Sequence, residues 1–193
     1  MKEVWKEVKG YDGKYAVSNY GSVKTLSRIV SNGYNNRMTT ERLLKPQQKK
    51  DRYFKISLRS NGKSISYRIH RLVYETFVGP IEDGKVIDHI DSNRENNRVD
   101  NLQAISQRLN IIKANITRHT TSIYPGVSYC NSTDRYLSCI EVNNKTVHLG
   151  LYESADDAFS TYKKELINYL DEDDYSKFND LCAVYLHGIG SNP

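Results

Sequence analysis

The sequence has few of the features that mark secreted or membrane-spanning proteins. Its 193 residues include only four prolines and three cysteines, Cys130, Cys139 and Cys182. An odd number of cysteines without metal-ligand spacing argues against a disulfide framework or a zinc site and fits reduced thiols. No apolar run approaches the roughly 18 residues of a membrane helix, and no secretory signal is evident. We therefore expect a cytoplasmic protein with no membrane partner.

Charge is distributed unevenly along the chain. The formal net charge is +5, but residues 1–119 hold 23 Lys plus Arg against 12 Asp plus Glu, a net charge of +11. Residues 120–193 hold 5 against 11, a net charge of −6. Basic side chains that neutralise phosphates release counterions, so the first part of the chain is suited to binding nucleic acid.

The most informative segment is Val86-Ile-Asp88-His89-Ile-Asp91. Its β-branched run predicts a strand that ends in a carboxylate and an imidazole, and the Asn-rich stretch that follows predicts a loop. A short apolar strand is predicted from Leu102 to Ile105. Ser106 is a suitable N-cap for a helix from Gln107 to about Arg118. Such a strand, loop, strand and helix can bring Asp88, His89 and Asn110 together.

The pattern Asp-His-x-Asp-x(4)-Asn-Asn-x(3)-Asn-Leu, closed by Asn110, resembles the HNH nucleases, in particular phage and intron-encoded homing endonucleases. The resemblance implies a site-specific, metal-dependent DNA endonuclease. In it, Asp88 and Asn110 hold the metal, His89 is the general base, and Asn101 orients His89 through a hydrogen bond. An unperturbed imidazole titrates near pH 6.5 and suits the base role. Two oxygen ligands favour Mg²⁺ or Mn²⁺ over zinc.

Three other interpretations remain open for this segment. Asp88 and His89 can simply shape a turn, as we expect of Asp91 and Asn93. The chain can also be a DNA-binding regulator that keeps the fold without activity, or a structural RNA binder. The set Asp88, His89 and Asn110 favours the nuclease, because binding alone does not require these three residues.

The N-terminal segment predicts a small β module. Asn19-Tyr20-Gly21 marks a turn between two short β runs, and Trp5 and Tyr11 are expected in the core of the module. Residues 3–28 resemble the modular motif that precedes the HNH domain in many phage homing endonucleases. Its candidate phosphate contacts are Lys14, Lys24 and Arg28.

The next segments lead to the Asp-His motif. Residues 29–50 show little periodicity and are interpreted as a basic, mobile connection that either orders on DNA or stays a solvated linker. A hairpin is predicted around Asn61-Gly62, followed by a short helix from His70 to Val78. Candidate DNA contacts are Lys55 and Arg68 in the hairpin and Arg94 and Arg98 in the Asn-rich loop. His70 is expected to be structural, with a contact to the active site or DNA as the alternative.

The region after residue 120 predicts three strands and a helix, with Asn143-Asn144 as a turn and Ser154 and Asp157 as a capping box. It resembles the plant ethylene-response-factor DNA-binding domain, which reads DNA through a three-stranded sheet. Ser128 and Glu141 stand where that family commonly has arginine, and His148 replaces its usual tryptophan. The candidate contacts are Arg135, Lys145 and His148, and a packing module is the alternative.

The sequence thus predicts a modular α+β protein. The expected parts are a β module and basic linker (1–50), a ββα-metal nuclease domain (51–119), an ethylene-response-factor-like domain (120–170) and an acidic tail with a short helix (171–193). The expected partner is double-stranded DNA. One active site per chain favours nicking by a monomer, whereas cutting both strands requires a dimer or two events.

Overall fold

The computed structural model describes residues 2–31, 33–48, 52–117 and 124–186. The chain forms two compact units, Met1–Ala104 and Ile105–Pro193. In the described ranges, no helix is long and apolar enough to cross a membrane. The basic residues Lys49 and Lys50, the predicted helix end near Arg118 and the expected domain boundary after residue 119 lie outside these ranges.

The first unit is built from small sheets and one helix. Its strands are β1 (Trp5–Glu7), β2 (Tyr15–Ser18), β3 (Val23–Thr25), β4 (Ile29–Ser31), β5 (Asn36–Met38), β6 (Arg42–Leu43), β7 (Gln47–Gln48), β8 (Phe54–Ser60), β9 (Lys63–Arg68), β10 (Lys85–His89) and β11 (Leu102–Ser106). The strand orders are β1-β2-β3-β6, β4-β5, β7-β8-β9 and β10-β11. Helix α1 (Ile69–Phe77) follows β9, and a 3-10 helix (Val99–Asn101) precedes β11.

The predicted hairpin and motif strands are confirmed. Asn61 and Gly62 connect β8 to β9 with φ angles of 50° and 74°, the conformation that a tight hairpin turn needs. Strand β8 alternates as expected, since Ile56 and Leu58 are buried while Ser57 is exposed.

One hydrophobic cluster runs through the first unit. It includes Val17 of the N-terminal sheet, Leu58 of the hairpin, Val73 of α1 and Leu102 of β11. The N-terminal sheet therefore shares its core with the segment that carries the Asp-His motif. Its expected core residue Tyr11 is 4% exposed, whereas Trp5 is only half-buried.

Residues 29–50, interpreted from the sequence as a basic, mobile connection, contain four short strands in the part that the structure describes. β4 and β5 form a hairpin, and β6 adds to the N-terminal sheet beside β3. Two hydrogen bonds close the base of the hairpin. The Thr39 hydroxyl accepts from Arg28 N and donates to Arg28 O, both at 3.1 Å. These strands are short and largely exposed, so they lack the apolar alternation from which strands are predicted.

The second unit contains a helix, a three-stranded sheet and two further helices. Its elements are α2 (Gln107–Thr117), β12 (Val127–Cys130), β13 (Arg135–Val142), β14 (Lys145–Tyr152), α3 (Ala155–Leu166), a 3-10 helix (Ile167–Tyr169) and α4 (Glu172–Leu186). The sheet is antiparallel in the order β12-β13-β14, and α3 packs against it. The Ser154 hydroxyl caps α3 by accepting from Asp157 N at 3.1 Å, as predicted.

The acidic tail is an integral part of the second unit. The expected short helix is the 15-residue helix α4, and its Phe178 side chain is fully buried. Asp171 Oδ1 accepts from Asp174 N at 2.8 Å at the start of the helix, and Asp174 Oδ2 accepts from Ser106 N at 2.9 Å. Acidic residues at this end complement the helix dipole.

Candidate active site

His89 is the last residue of β10 and its side chain is only 3% exposed. Asp88 precedes it and is half-buried on the alternate face of the strand. Gln103 on the paired strand β11 donates its side-chain amide to Asp88 Oδ2 at 2.9 Å. The strand end therefore presents an oriented carboxylate next to a buried imidazole, as the motif predicts.

Asn97 is the loop residue that contacts the imidazole. Its Oδ1 lies 3.3 Å from His89 Nε2, and its Nδ2 donates to Glu95 O at 3.1 Å. Because the amide nitrogen is bonded to Glu95, the amide oxygen is the atom that faces His89. An amide oxygen can only accept, so the tautomer that forms this hydrogen bond in a neutral imidazole is the one with its proton on Nε2.

The prediction that Asn101 orients His89 by a hydrogen bond is therefore corrected. Asn101 Nδ2 donates to Asp91 Oδ1 and to Asn96 O, both at 2.9 Å, and Asn101 Oδ1 accepts from Asp91 N at 3.1 Å. Asn101 lies at the end of the 3-10 helix, where its amide turns towards the loop backbone rather than the imidazole. The Asn101 side chain therefore holds the loop in place and not the His89 ring.

Asp91 organises the same loop, as expected. It accepts hydrogen bonds from Asn96 Nδ2 at 2.7 Å and from the backbone of Asn93 at 2.8 Å, in addition to the bond from Asn101. Burial raises the pKa of the Asp91 carboxyl, but these hydrogen bonds lower it more, so its pKa lies below the ordinary value of 3.8.

Two rings, those of Tyr53 and His70, lie close to His89, and no sequence pattern predicted this cluster. The Tyr53 ring stacks on His89 with 6.1 Å between ring centroids, and His70 lies 4.9 Å from Tyr53 and 5.1 Å from His89. His70 is 3% exposed. The alternative prediction for His70, a contact with the active site, thus describes its position. No periodicity could have placed Tyr53 there, because it precedes its strand.

Two predicted DNA contacts lie on the Tyr53 ring. The guanidinium carbons of Arg68 and Arg94 are each 4.9 Å from the ring centroid. Arg68 is also the cross-strand neighbour of Lys55 in the β8–β9 hairpin. The two basic side chains therefore stand on the same face of the hairpin. The Tyr53 ring that stacks on His89 therefore also carries two cationic groups suited to phosphate.

Three further candidate contacts in the first unit, Lys14, Lys24 and Arg98, are paired with carboxylates. Lys24 Nζ lies 2.7 Å from Glu41 Oε1 and 4.3 Å from the Trp5 ring centroid. Arg98 donates to both Asp100 oxygens, at 2.8 and 3.0 Å, which raises its pKa further above the ordinary value. Lys14 Nζ lies 3.5 Å from Asp12 Oδ2. These three side chains must exchange a partner to reach DNA.

Arg28 lines a separate basic cavity of about 540 Å³ in the first unit. The cavity residues are Thr25, Arg28, Arg37, Met38, Thr39, Thr40 and Arg42. No carboxylate is among them. Its three arginines and three threonines are side chains suited to contact phosphate.

Asn110 is the fourth residue of α2, in the second unit, and its side chain is half-buried. The Ser106 hydroxyl accepts from Leu109 N at 3.1 Å, so the predicted N-cap is confirmed. Leu109, Ile112 and Ile116 form the buried stripe of this helix. The convergence of Asn110 with Asp88 and His89 stays a prediction.

The predicted contacts of the second unit lie on its sheet. Arg135 begins β13 and Lys145 begins β14, and both are exposed. His148 Nδ1 lies 3.4 Å from Cys139 Sγ on the neighbouring strand. The contacts of Arg135, Lys145 and His148 with DNA stay predictions.

Comparison with known proteins shows that two families match the first unit and the start of α2. The family described as "HNH endonuclease" matches residues 67–110, and the family described as "NUMOD4 motif" matches residues 3–59. The two matches together cover more than half of the chain. The chain therefore carries an HNH endonuclease domain and a NUMOD4 motif, which confirms both resemblances for these segments.

Individual relatives come from viruses. DNA endonuclease I-HmuI of Bacillus phage SP01 is 37% identical over 107 residues, which are 55% of this chain and 55% of that protein. The uncharacterized gene 5.3 protein of Enterobacteria phage T3 is 42% identical over 74 residues, 37% of this chain and 73% of that protein. The chain thus spans about half the length of I-HmuI.

A solved structure is also similar. The structure described as "DNA binding and cleavage by the HNH homing endonuclease I-HmuI" shares 26% sequence identity with a TM-score of 0.49, over 94% of this chain and 91% of that one. Neither family match extends into residues 111–193, so the similarity of that region to ethylene-response-factor domains stays a prediction.

Proposed function

We propose that this chain is a site-specific, metal-dependent DNA endonuclease that uses His89 as its general base. The observation that carries the proposal is the fixed contact between His89 Nε2 and Asn97 Oδ1, next to the oriented carboxylate of Asp88. A regulator that only binds DNA needs neither a held imidazole tautomer nor a carboxylate beside it. The phage endonuclease relative supports the same conclusion.

The donor set fits a hard divalent cation. Asp88 offers a carboxylate oxygen and Asn110 an amide oxygen, which are ligands that Mg²⁺ and Mn²⁺ prefer. Both side chains are half-buried, which leaves room for water and phosphate oxygens as further ligands. When bound, the cation supplies positive charge to the scissile phosphate and to the departing 3′ oxygen.

The residues of the chain divide the reaction between them. His89 Nδ1 accepts a proton from the attacking water, whose oxygen forms the new bond to phosphorus as the bond to the 3′ oxygen breaks. Asn97 Oδ1 accepts from His89 Nε2–H and keeps the ring in place as it becomes positively charged. Arg68 and Arg94, which both lie against the Tyr53 ring, bind the phosphate backbone.

We infer that the second unit also contacts DNA, but attracts phosphate less strongly than the basic first unit does. The antiparallel sheet β12-β13-β14 with α3 packed against it has the elements of an ethylene-response-factor domain, with Arg135 and Lys145 exposed. Residues 120–170 hold 4 basic and 6 acidic residues. Such a module contributes to site selection more than to general phosphate attraction.

Plasmid cleavage tests the metal-dependent activity. Supercoiled plasmid that carries the target site is incubated with the protein and Mg²⁺, and nicked or linear DNA is expected, with no product in EDTA. Asp88→Asn should abolish the product, whereas Asp83→Asn, an exposed acid before β10, should not change it. An Asp88→Asn protein that cuts as fast as wild type would overturn the proposal. Mapping the ends on both strands distinguishes a nick by a monomer from a double-strand break.

A further inference from the structure

The turn between β2 and β3 lies against the loop that contains Asn97. Successive residues of the turn contact successive residues of the loop. Asn19 O accepts from Val99 N at 2.9 Å. The Arg98 guanidinium carbon lies 4.5 Å from the centroid of the Tyr20 ring. Three successive residues of the turn thus meet three successive loop residues, and the third pair is Gly21 with Asn97.

Gly21 and Asn97 are in the closest contact of the three pairs. A Cβ atom placed on Gly21 would lie 2.8 Å from Asn97 Cβ and 3.3 Å from Asn97 O. The first distance is shorter than carbon atoms tolerate, and Gly21 also has a φ of +91°. Only glycine lets the two backbones approach this closely.

The turn itself is firmly held. Ser18 is fully buried, and its hydroxyl accepts from Tyr20 N at 3.2 Å and from Ser22 N at 3.1 Å. Asn19 is 3% exposed, and its amide bonds to Val4 N at 2.8 Å and to Lys2 O at 3.1 Å. A turn fixed on both sides can act as a rigid support for the loop.

We propose that the turn Asn19–Gly21 is a positioning element of the nuclease site, which sets the place of Asn97 and through it the orientation of His89. The proposal rests on the proposed function of His89 as base. It gives the N-terminal module a role in the chemical step, separate from any contact with DNA. Gly21 is then a positioning residue, since its effect passes through Asn97.

Kinetics distinguish this role from DNA binding. Gly21→Ala should lower kcat about 10-fold or more, as loss of a supporting partner does, with KM for duplex DNA unchanged. Gly10→Ala is the matched control, because Gly10 has a φ of +80° in the same module and nothing within 4 Å of an added Cβ. Equal losses in the two variants, or a loss confined to KM, would overturn the proposal.

A double-mutant cycle tests whether the effect passes through Asn97. In an Asn97→Ala protein, adding Gly21→Ala should lower kcat by less than about twofold, because the amide that the turn positions is already absent. A full additional loss in that background would show that Gly21 acts by another route. If Gly21→Ala fails to fold, Gly21→Asn replaces it, since Asn tolerates positive φ better and still places a Cβ against Asn97.

Nitrogen NMR of the imidazole gives a readout that does not depend on cleavage. In the wild-type protein without metal or DNA, we expect His89 to be the Nε2–H tautomer, assigned among the five histidines by comparison with His89→Ala. Gly21→Ala should reduce this tautomer and Gly10→Ala should not; unchanged His89 signals in Gly21→Ala would overturn the proposal. If the wild-type protein does not cut DNA, the proposed function fails while this measurement still decides the positioning role.

Discussion

Asp91 and Asn101 exchange two hydrogen bonds, one in each direction, across the base of the loop that follows the Asp-His motif. The bonds join the first residues of the loop to the end of its 3-10 helix. They leave Asn97, midway between them in the chain, to face His89. In this chain, the Asn101 amide therefore holds the loop, whereas the Asn97 amide contacts His89.

The Asp91 carboxylate should stabilise the fold in a pH-dependent way. Its pKa is lowered in the folded protein, so its contribution is present above pH 3.8 and is lost as the pH falls through the folded-state pKa. Asp91→Asn should reduce the free energy of unfolding by about 1 kcal/mol at pH 7, since water competes for this exposed side chain. Urea unfolding at pH 7 and pH 3 checks this. A difference that does not shrink at pH 3 would contradict it.

Asn97 should matter for turnover and Asn101 for stability. Asn97→Ala removes the acceptor for His89 Nε2 and should lower kcat about 10- to 100-fold, by analogy with other groups that orient catalytic ligands. Asn101→Ala removes three hydrogen bonds of the loop and should lower the thermal midpoint more than Asn97→Ala does. Single-turnover cleavage and thermal unfolding of both variants measure the two effects. The reverse pattern would restore the role first predicted for Asn101.

Lys55 and Arg68 should contribute to the salt dependence of DNA binding. Each phosphate contact that is removed should reduce the slope of log K against log salt by about 1. Lys55→Ala and Arg68→Ala should therefore each show a shallower slope than wild type. Lys164→Ala, which removes one exposed charge from α3, is the control and should keep the wild-type slope. Fluorescence anisotropy with labelled duplex at several salt concentrations gives the slopes, and equal slopes for all variants would contradict the prediction.

Cys130 should be the most reactive thiol of the three at neutral pH. Hydrogen bonds from Ser132 and then Thr133 lower its pKa to about 7, whereas burial raises the pKa of Cys182 to about 11. Because the thiolate is the reactive form, alkylation of Cys130 by iodoacetamide should rise with pH through about 7. Mass spectrometry of the labelled sites checks this, and Ser132→Ala should move the midpoint to higher pH. Faster labelling of Cys182 would contradict the prediction.

The acidic tail should contribute strongly to the stability of the second unit. Phe178 is fully buried in α4, with 6.3 Å between its ring centroid and that of Phe159. Phe178→Ala should cost about 3–5 kcal/mol of unfolding free energy. Val184→Ala, at a position that is 69% exposed, should cost less than about 0.5 kcal/mol. Chemical denaturation of both variants gives the comparison, and similar costs would show that α4 does not pack as described.

Local patterns predicted the elements that depend on local physics. The β-branched run before Asp88, the Ser106 cap and the Asn61-Gly62 turn each act within a few residues, and the structure has the strand, helix and hairpin that they predict. Spacing alone could not distinguish Asn97 from Asn101, because the 3-10 helix at Val99–Asn101 decides which amide turns towards His89.

Long-range contacts were beyond the reach of those patterns. Tyr53 reaches His89, and Gly21 reaches Asn97, only through the packing of segments that are far apart in the chain. The strands of residues 29–48 were missed for another reason. They are exposed and polar, so hydrogen bonding holds them without an apolar face that a sequence pattern could reveal.

The rate of single-turnover cleavage by His89→Ala, compared with wild type across pH 5 to 9 in Mg²⁺, tests the central claim most directly. General base catalysis contributes about 100- to 10,000-fold, so His89→Ala should cut at least about 100-fold more slowly at pH 7 and lose the wild-type rise in rate with pH. A His89→Ala protein that cuts at the wild-type rate with the wild-type pH profile would contradict the assignment of His89 as the base.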